Sequence, residues 1–364
     1  MRFYLDYNAS VPMDNRVKSY VREIMDMHGN PSSVHTKGRK LKNILELSRQ
    51  RIAVLINCSQ KNVIFTSGAT EANNLALNGY KKRIVSSIEH ESIKKQKNTM
   101  LIDVNKEGYI DLVMLENILK SINNKKKIIV SVMFANNETG IIQPLEKIIK
   151  ITKKYKVPFH TDGVQAVGRI SINFLKLGID MMTISSHKIG GPAGAGALIV
   201  DSKKHILKPL LFGGDQEDSL RSGTEPILAI AGFGQAAELL EVQQIEKLKD
   251  LRMIFEKKLK KSNLGIQIIG ENSNRLPNTF MMYTPGIKAE DLLIALDIEG
   301  FDVSTGSACS SGKAEPSEVL KRMGYSKLIA SGVIRISLGL YNDISEADML
   351  VIALKKILKR FGQI

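Results

Sequence analysis

The 364-residue sequence has two cysteines, Cys58 and Cys309, and no tryptophan. Two thiols are too few for a disulfide framework or a cysteine-based metal cluster. With no targeting segment in view, both are expected to be reduced. Histidine is also scarce, at six residues, and His28, His35, His160 and His205 have no spacing that suggests metal binding. Aromatic residues are 5% of the chain, and no apolar run approaches the ~20 residues of a membrane-spanning helix. The first residues, Met1-Arg2-Phe3-Tyr4-Leu5-Asp6, place an acid where a signal peptide needs an apolar block, so a cytoplasmic protein is expected. Acidic residues are the minority, 37 against 52 basic ones, for a net charge of +15. Such a charge attracts nucleic acid or an acidic partner. The excess is mostly lysine, 38 against 14 arginines, and the lysines are scattered rather than gathered on one arm. We read it as compositional bias and expect no direct nucleic-acid binding. Lys125-Lys126-Lys127 and Lys257-Lys258-Leu259-Lys260-Lys261 read as a solvated loop and helix face.

With 43% hydrophobic and 24% charged residues, the chain has the composition of a globular protein able to bury a large core. From about residue 50 to 225, helix-like and strand-like segments alternate. Arg39 to Leu55 is an amphipathic helix, followed by a strand at Val63 to Thr66, a helix from Glu71 and a strand at Arg83 to Ser87. A strand from Ile128, a helix from Leu145 to Tyr155, and strands at Phe159 to Asp162 and Ile179 to Ile184 continue the pattern. This alternation predicts an α/β domain with a mostly parallel sheet covered by helices. Pro226 to about Lys261 reads as one long helix. From Pro277 onward, strands at Asn278 to Tyr283 and Val333 to Ser337, with helices at Ala289 to Ile298 and Glu346 to Arg360, predict a smaller α+β domain. The expected division is 15–250 for the large domain and 251–364, with 1–14, for the small one.

Three motifs carry chemistry. Ser185-Ser186-His187-Lys188-Ile189-Gly190-Gly191-Pro192-Ala193-Gly194 sets one lysine between hydroxyl residues and a glycine-rich segment, after a buried strand. Crowding and burial lower the pKa of such a lysine, and small residues admit a bulky ligand. These are the needs of a lysine that bonds to pyridoxal phosphate (PLP). Thr66-Ser67-Gly68-Ala69-Thr70-Glu71-Ala72-Asn73 lies at a strand-to-helix junction, where exposed amides and hydroxyls make an anion site. His160-Thr161-Asp162-Gly163-Val164-Gln165 follows a strand; in a PLP site its aspartate would keep the pyridine nitrogen protonated. The 26 positions from Asp162 to Lys188 leave room for one helix and one strand, so both residues can end neighbouring strands at one sheet edge.

Together with Leu5-Asp6-Tyr7-Asn8-Ala9, Gly29-Asn30-Pro31-Ser32-Ser33, Glu89-His90, Asn136-Asn137-Glu138-Thr139-Gly140, Arg221-Ser222-Gly223-Thr224, Ser307-Ala308-Cys309-Ser310 and Ile334-Arg335-Ile336-Ser337-Leu338-Gly339, these motifs occur in one order. That order resembles the cysteine desulfurases of the NifS/IscS type, within the class V aminotransferase, fold-type I PLP enzymes. The resemblance runs nearly end to end. It implies a large domain with a mostly parallel seven-stranded sheet and a homodimer. It implies that Lys188 holds PLP covalently and moves the substrate Cα proton, and that Asp162 pairs with the ring nitrogen. Gln165 and Asn137 would hydrogen-bond the ring hydroxyl, and His90 would stack on the ring and help proton transfer. Ala69, Thr70, Ser185 and His187 would bind the phosphate, joined by Thr224 from a partner subunit. Asn30 and Arg335 would hold the substrate carboxylate. Arg335 also stands in an apolar strand, and a buried arginine needs a counter-charge.

Cys309 narrows the reaction. Its setting, Ser304-Thr305-Gly306-Ser307-Ala308-Cys309-Ser310-Ser311-Gly312-Lys313, is rich in small residues and reads as a mobile loop. A thiol there can enter a site and swing out, and the family carries its persulfide cysteine at this place. The expected reaction converts L-cysteine to L-alanine, leaves a persulfide on Cys309, and passes the sulfur to an iron–sulfur scaffold or a tRNA-thiolation protein. Another class V enzyme, such as a selenocysteine lyase or an aminotransferase, is one alternative. A non-catalytic basic protein that binds RNA or a partner is another. Relatives that feed an iron–sulfur scaffold commonly continue into a C-terminal tail. The sequence ends at Arg360-Phe361-Gly362-Gln363-Ile364, which puts docking through such a tail in doubt.

Overall fold

The computed structural model describes residues 2–241, 243–306 and 315–363. A seven-stranded sheet forms the centre. Across it the strands run Val63–Thr66, Gly196–Val200, Met181–Ser185, Phe159–Asp162, Ile128–Ser131, Lys82–Ser86 and Thr99–Ile102. All pairs are parallel except the two made by Gly196–Val200. The five strands from Val63, Ile128, Phe159, Met181 and Gly196 are buried at every position, because helices cover both faces. Thr36–Leu55 and Ile227–Glu238 pack on one face, where Gly234 lets the backbones approach: a Cβ there would lie 2.5 Å from the Cα of Ser48.

A second sheet, in the order Ser304–Thr305, Val333–Ser337, Thr279–Tyr283 and Gln267–Ile269, is antiparallel. The start of the chain joins this unit. Phe3–Tyr4 pairs in parallel with Phe301–Asp302, and Leu5 is buried among Phe280, Phe301 and Ile336. Among the described residues no helix is long and apolar enough to cross a membrane.

The long helix expected from Pro226 to Lys261 is two helices, Ile227–Glu238 and Gln243–Lys261. The physical reason is a change of core. Leu239 and Leu240 pack with the central sheet's apolar cluster, whereas Leu248, Leu251 and Phe255 pack with Phe280 and Leu354 in the second unit. A continuous helix could not turn one apolar stripe toward both.

Candidate active site

Parallel strands bring their C-terminal ends to one edge, and that edge holds a cleft of about 540 Å³. The strand Met181–Ser185 runs into a short turn, Ser186–Lys188. The Lys188 Nζ donates to the backbone carbonyls of Asn8 (2.6 Å) and Ala9 (2.9 Å). Asp162 ends the neighbouring strand. Its Oδ2 accepts from Asn73 Nδ2 (2.8 Å) and its Oδ1 from the Val164 amide (3.0 Å). Gln165 donates through Nε2 to the Asn8 carbonyl (3.2 Å), while its Oε1 is buried without a partner.

After the strand Val63–Thr66 the chain turns at Ser67-Gly68 into the helix Ala69–Asn78. Gly196 opens the adjacent strand, and a Cβ there would come within 2.7 Å of the Gly68 backbone. The helix has no side-chain cap, so its first amides stay available where Ala69 and Thr70 line the cleft. Ser185 Oγ lies 3.1 Å from His187 Nδ1. Burial, with Lys188 beside it, holds the His187 imidazole below its ordinary pKa. His90, after the strand Lys82–Ser86, caps the short helix Glu91–Lys94 and accepts the Ser92 amide at Nδ1 (3.2 Å). Behind it Glu89 accepts the Met133 amide at Oε1 (2.7 Å), and burial pushes its carboxyl well above the usual range.

Arg335 enters the cleft from the second sheet. Its guanidinium donates to the Asn137 carbonyl (3.0 Å) and pairs with Asp6 Oδ1 (2.6 Å), the counter-charge that a buried arginine requires. Ser304 stands opposite Arg335 in register, and Cys309 lies outside the described residues. Cys58 does not line the cleft. Burial pushes its thiol up to about 12, which leaves it a poor nucleophile.

Thus Ala69, Thr70, His90, Asn137, Asp162, Gln165, Ser185, His187, Lys188 and Arg335 meet in one cleft. Asn30 does not line it: Asn30 is exposed, its Oδ1 accepts the Ser32 amide and its carbonyl accepts the Ser33 amide, so it serves its own turn. Thr224 is exposed and is likewise not among the residues lining this chain's cleft. Three further residues had no role assigned from sequence: Asn8, whose carbonyl holds both Lys188 and Gln165, Asn73, and Asp6. Their partners lie 89 to 329 positions away, and only the motif Leu5 to Ala9 and the strand-to-helix motif marked the places.

These residues fit PLP. An uncapped helix start beside Ser185 and His187 suits its phosphate. A carboxylate held by two N–H donors suits a protonated ring nitrogen, and the unmatched Gln165 Oε1 leaves hydrogen-bonding capacity at the wall.

The family model of class-V aminotransferases matches residues 3–350. The chain belongs to that family. It is similar to a cysteine desulfurase IscS from Dictyoglomus turgidum, 38% identical over 99% of this chain and 95% of the relative. It is also 38% identical to a cysteine desulfurase IscS 1 from Archaeoglobus fulgidus, over 98% of this chain and 97% of that one. The crystal structure of a NifS-like protein from Rickettsia africae superposes with a TM-score of 0.92 at 40% identity, covering 99% of this chain and all of the other. The chain thus falls among the IscS and NifS relatives of a PLP-dependent family.

Proposed function

We propose that this chain is a PLP-dependent cysteine desulfurase. The observation that carries the reading is the convergence of Lys188, Asp162, His90 and Arg335 on one strand-end cleft. When bound, PLP supplies an electron sink conjugated to the substrate amine. Lys188 holds the cofactor and moves the proton at the substrate Cα. The Asp162 carboxylate keeps a proton on the ring nitrogen, and Gln165 and Asn137 hold the ring hydroxyl. Ala69, Thr70, Ser185 and His187 bind the phosphate, with Thr224 of a second copy. His90, at the wall of the cleft, would stack on the ring and help proton transfer at the substrate Cα. Arg335 takes the L-cysteine carboxylate, for which the incoming anion competes with Asp6.

The Cys309 thiolate then attacks the substrate sulfur. The substrate C–S bond breaks, an S–S bond forms on Cys309, and the remaining three-carbon unit leaves as L-alanine. Atoms balance as L-cysteine plus the Cys309 thiol giving L-alanine plus the Cys309 persulfide. The persulfide goes to an acceptor protein of iron–sulfur assembly or tRNA thiolation. The enzyme works as a cytoplasmic homodimer whose large domain spans 15–250 and whose small domain spans 251–364 with 1–14. The test is product analysis with purified protein, PLP, L-cysteine and a thiol reductant. Equimolar alanine and sulfide support the reading. No turnover with the cofactor's visible band intact points to another amino acid, and no band removes the reading altogether.

A further inference from the structure

Asn73 is fully buried in the helix Ala69–Asn78. Both Nδ2 hydrogens are used. One goes to Asp162 Oδ2 (2.8 Å) and one to Ser92 Oγ (2.9 Å). Ser92 Oγ lies 2.8 Å from His90 Nδ1, and the Ser92 amide donates to the same nitrogen. The proton directions in this chain follow from chemistry. Asp162 can only accept from the amide, so the NH₂ group must face it; an inverted amide would set oxygen against carboxylate. Ser92 Oγ therefore accepts from Asn73 and has its own hydrogen to give. That hydrogen goes to His90 Nδ1, which then accepts twice, from the Ser92 hydroxyl at 2.8 Å and more loosely from the Ser92 amide at 3.2 Å, so the ring proton belongs on Nε2. Meanwhile Asn73 Oδ1 is buried without a partner. A residue kept for packing would avoid such an orphan, because an unmatched buried carbonyl is unfavourable.

We propose that Asn73 is a positioning residue that joins Asp162 and His90 into one hydrogen-bonded unit, fixing the His90 tautomer and the placement of the Asp162 carboxylate together. The proposal rests on the cofactor and substrate roles given above for these two residues. A carboxylate that loses an N–H donor binds protons more readily. Without Asn73, the Asp162 carboxylate keeps only the Val164 amide of its two N–H donors, and the Ser92 hydroxyl is no longer oriented toward His90 Nδ1, which weakens the preference for Nε2–H.

The test uses three variants, Asn73→Ala, Ser92→Ala and their double, in the full chain. The first readout needs neither cofactor nor turnover: the ¹⁵N shifts of His90 in [¹⁵N]histidine-labelled protein without PLP. The second is the pH midpoint of the visible band with PLP bound. The third is kcat and KM for L-cysteine. We expect Asn73→Ala to move His90 from a single Nε2–H tautomer to a mixture and to shift the band midpoint. Its kcat should fall on the order of tenfold or more, with KM changed less than threefold. Ser92→Ala should move the His90 tautomer but not the band midpoint. The double variant should lose no more than Asn73→Ala alone, because both act on one chain. Independent multiplication of the two losses, or an unmoved tautomer and midpoint with only a lower melting temperature, overturns the proposal. Should Asn73→Ala fail to fold, Ser92→Ala and Asn73→Ser still separate the two arms: an unchanged His90 tautomer in both overturns it. If wild type forms no alanine from L-cysteine, the desulfurase reading fails by itself, while the tautomer measurement still decides the Asn73 unit.

Discussion

Arg335 illustrates what single residues reveal. An arginine in an apolar strand announces a missing anion, and the anion is Asp6, 329 positions earlier. No local pattern could name it, because the pair forms only when the start of the chain lies against the second sheet. Lys188 and Asp162 were legible because their surroundings, small residues at a strand end, are local. Arg335→Lys keeps the charge and loses the planar fork, so KM for L-cysteine should rise about tenfold, roughly 1.4 kcal/mol, with kcat less affected. Steady-state kinetics decides this. Two buried groups outside the reaction set a pH dependence. Burial pushes Glu138 up to about 7, against the hydrogen bond from Ser317. Burial holds His160, between Ser131 and Thr183, down to about 3. Glu138 therefore contributes stability that is complete below pH 4.5 and lost as pH rises through 7. His160 contributes stability that is complete above pH 6.5 and lost as pH falls through 3. Between 4.5 and 6.5 the two oppose each other. Glu138→Gln should unmask the His160 slope, making stability rise with pH more steeply than in wild type, by at most about 1.4 kcal/mol per pH unit. Urea unfolding at pH 5 and 6.5 checks it, and parallel slopes for the two proteins would contradict it.

Elements with a clear period were the readable ones. The helix Thr36–Leu55 buries Leu41, Leu45, Ser48 and Ile52 on one stripe, and its alternation of apolar and charged residues showed this in advance. The strand Gly196–Val200 is buried on both faces, so it carries no alternation and looks like the tail of a glycine-rich turn. The break between Ile227–Glu238 and Gln243–Lys261 was illegible for another reason: no proline or glycine marks it, and only the separation of two cores demands it. Two glycines in the first of these helices test how packing reaches the site. A Cβ on Gly234 would meet the backbone of Ser48, and one on Gly232 would lie 2.5 Å from the Pro192 ring, just beyond the Lys188 turn. Both Gly→Ala changes should destabilise the fold by about 1–3 kcal/mol through overpacking. Only Gly232→Ala should also weaken PLP binding, measured by cofactor titration. Equal cofactor affinity in the two variants would show that the Lys188 turn is insulated from that helix.

At the scale of the whole molecule, the charge distribution differs from its reading in sequence. Lysines that are scattered along the chain meet at the sheet edge opposite the cleft, because parallel strands start there. Lys82 opens its strand, Lys125-Lys126-Lys127 precedes Ile128, and Lys156 precedes Phe159. The antiparallel strand Gly196–Val200 ends at the same edge, so Lys203 and Lys204 join them; Lys125, Lys126, Lys156 and Lys204 line one groove. A charge concentrated this way should dominate binding to a polyanionic resin. The triple variant Lys125→Gln/Lys126→Gln/Lys127→Gln should leave a heparin column at distinctly lower salt than Lys247→Gln/Lys257→Gln/Lys261→Gln, which removes equal charge from the helix Gln243–Lys261. Equal elution would mean that only the net charge of +15 matters.

Sulfur that leaves L-cysteine in the Lys188 cleft should arrive on Cys309. The most direct measurement is the transfer of label from L-[³⁵S]cysteine to the PLP-loaded protein, denatured without reductant, in wild type, Cys58→Ser and Cys309→Ser. Wild type and Cys58→Ser should both carry label that a thiol reductant releases, and Cys309→Ser should carry none while its alanine formation collapses. Reductant-sensitive label on Cys309→Ser at the wild-type level, or alanine formed by that variant at the wild-type rate, would mean that Cys309 is not the sulfur acceptor.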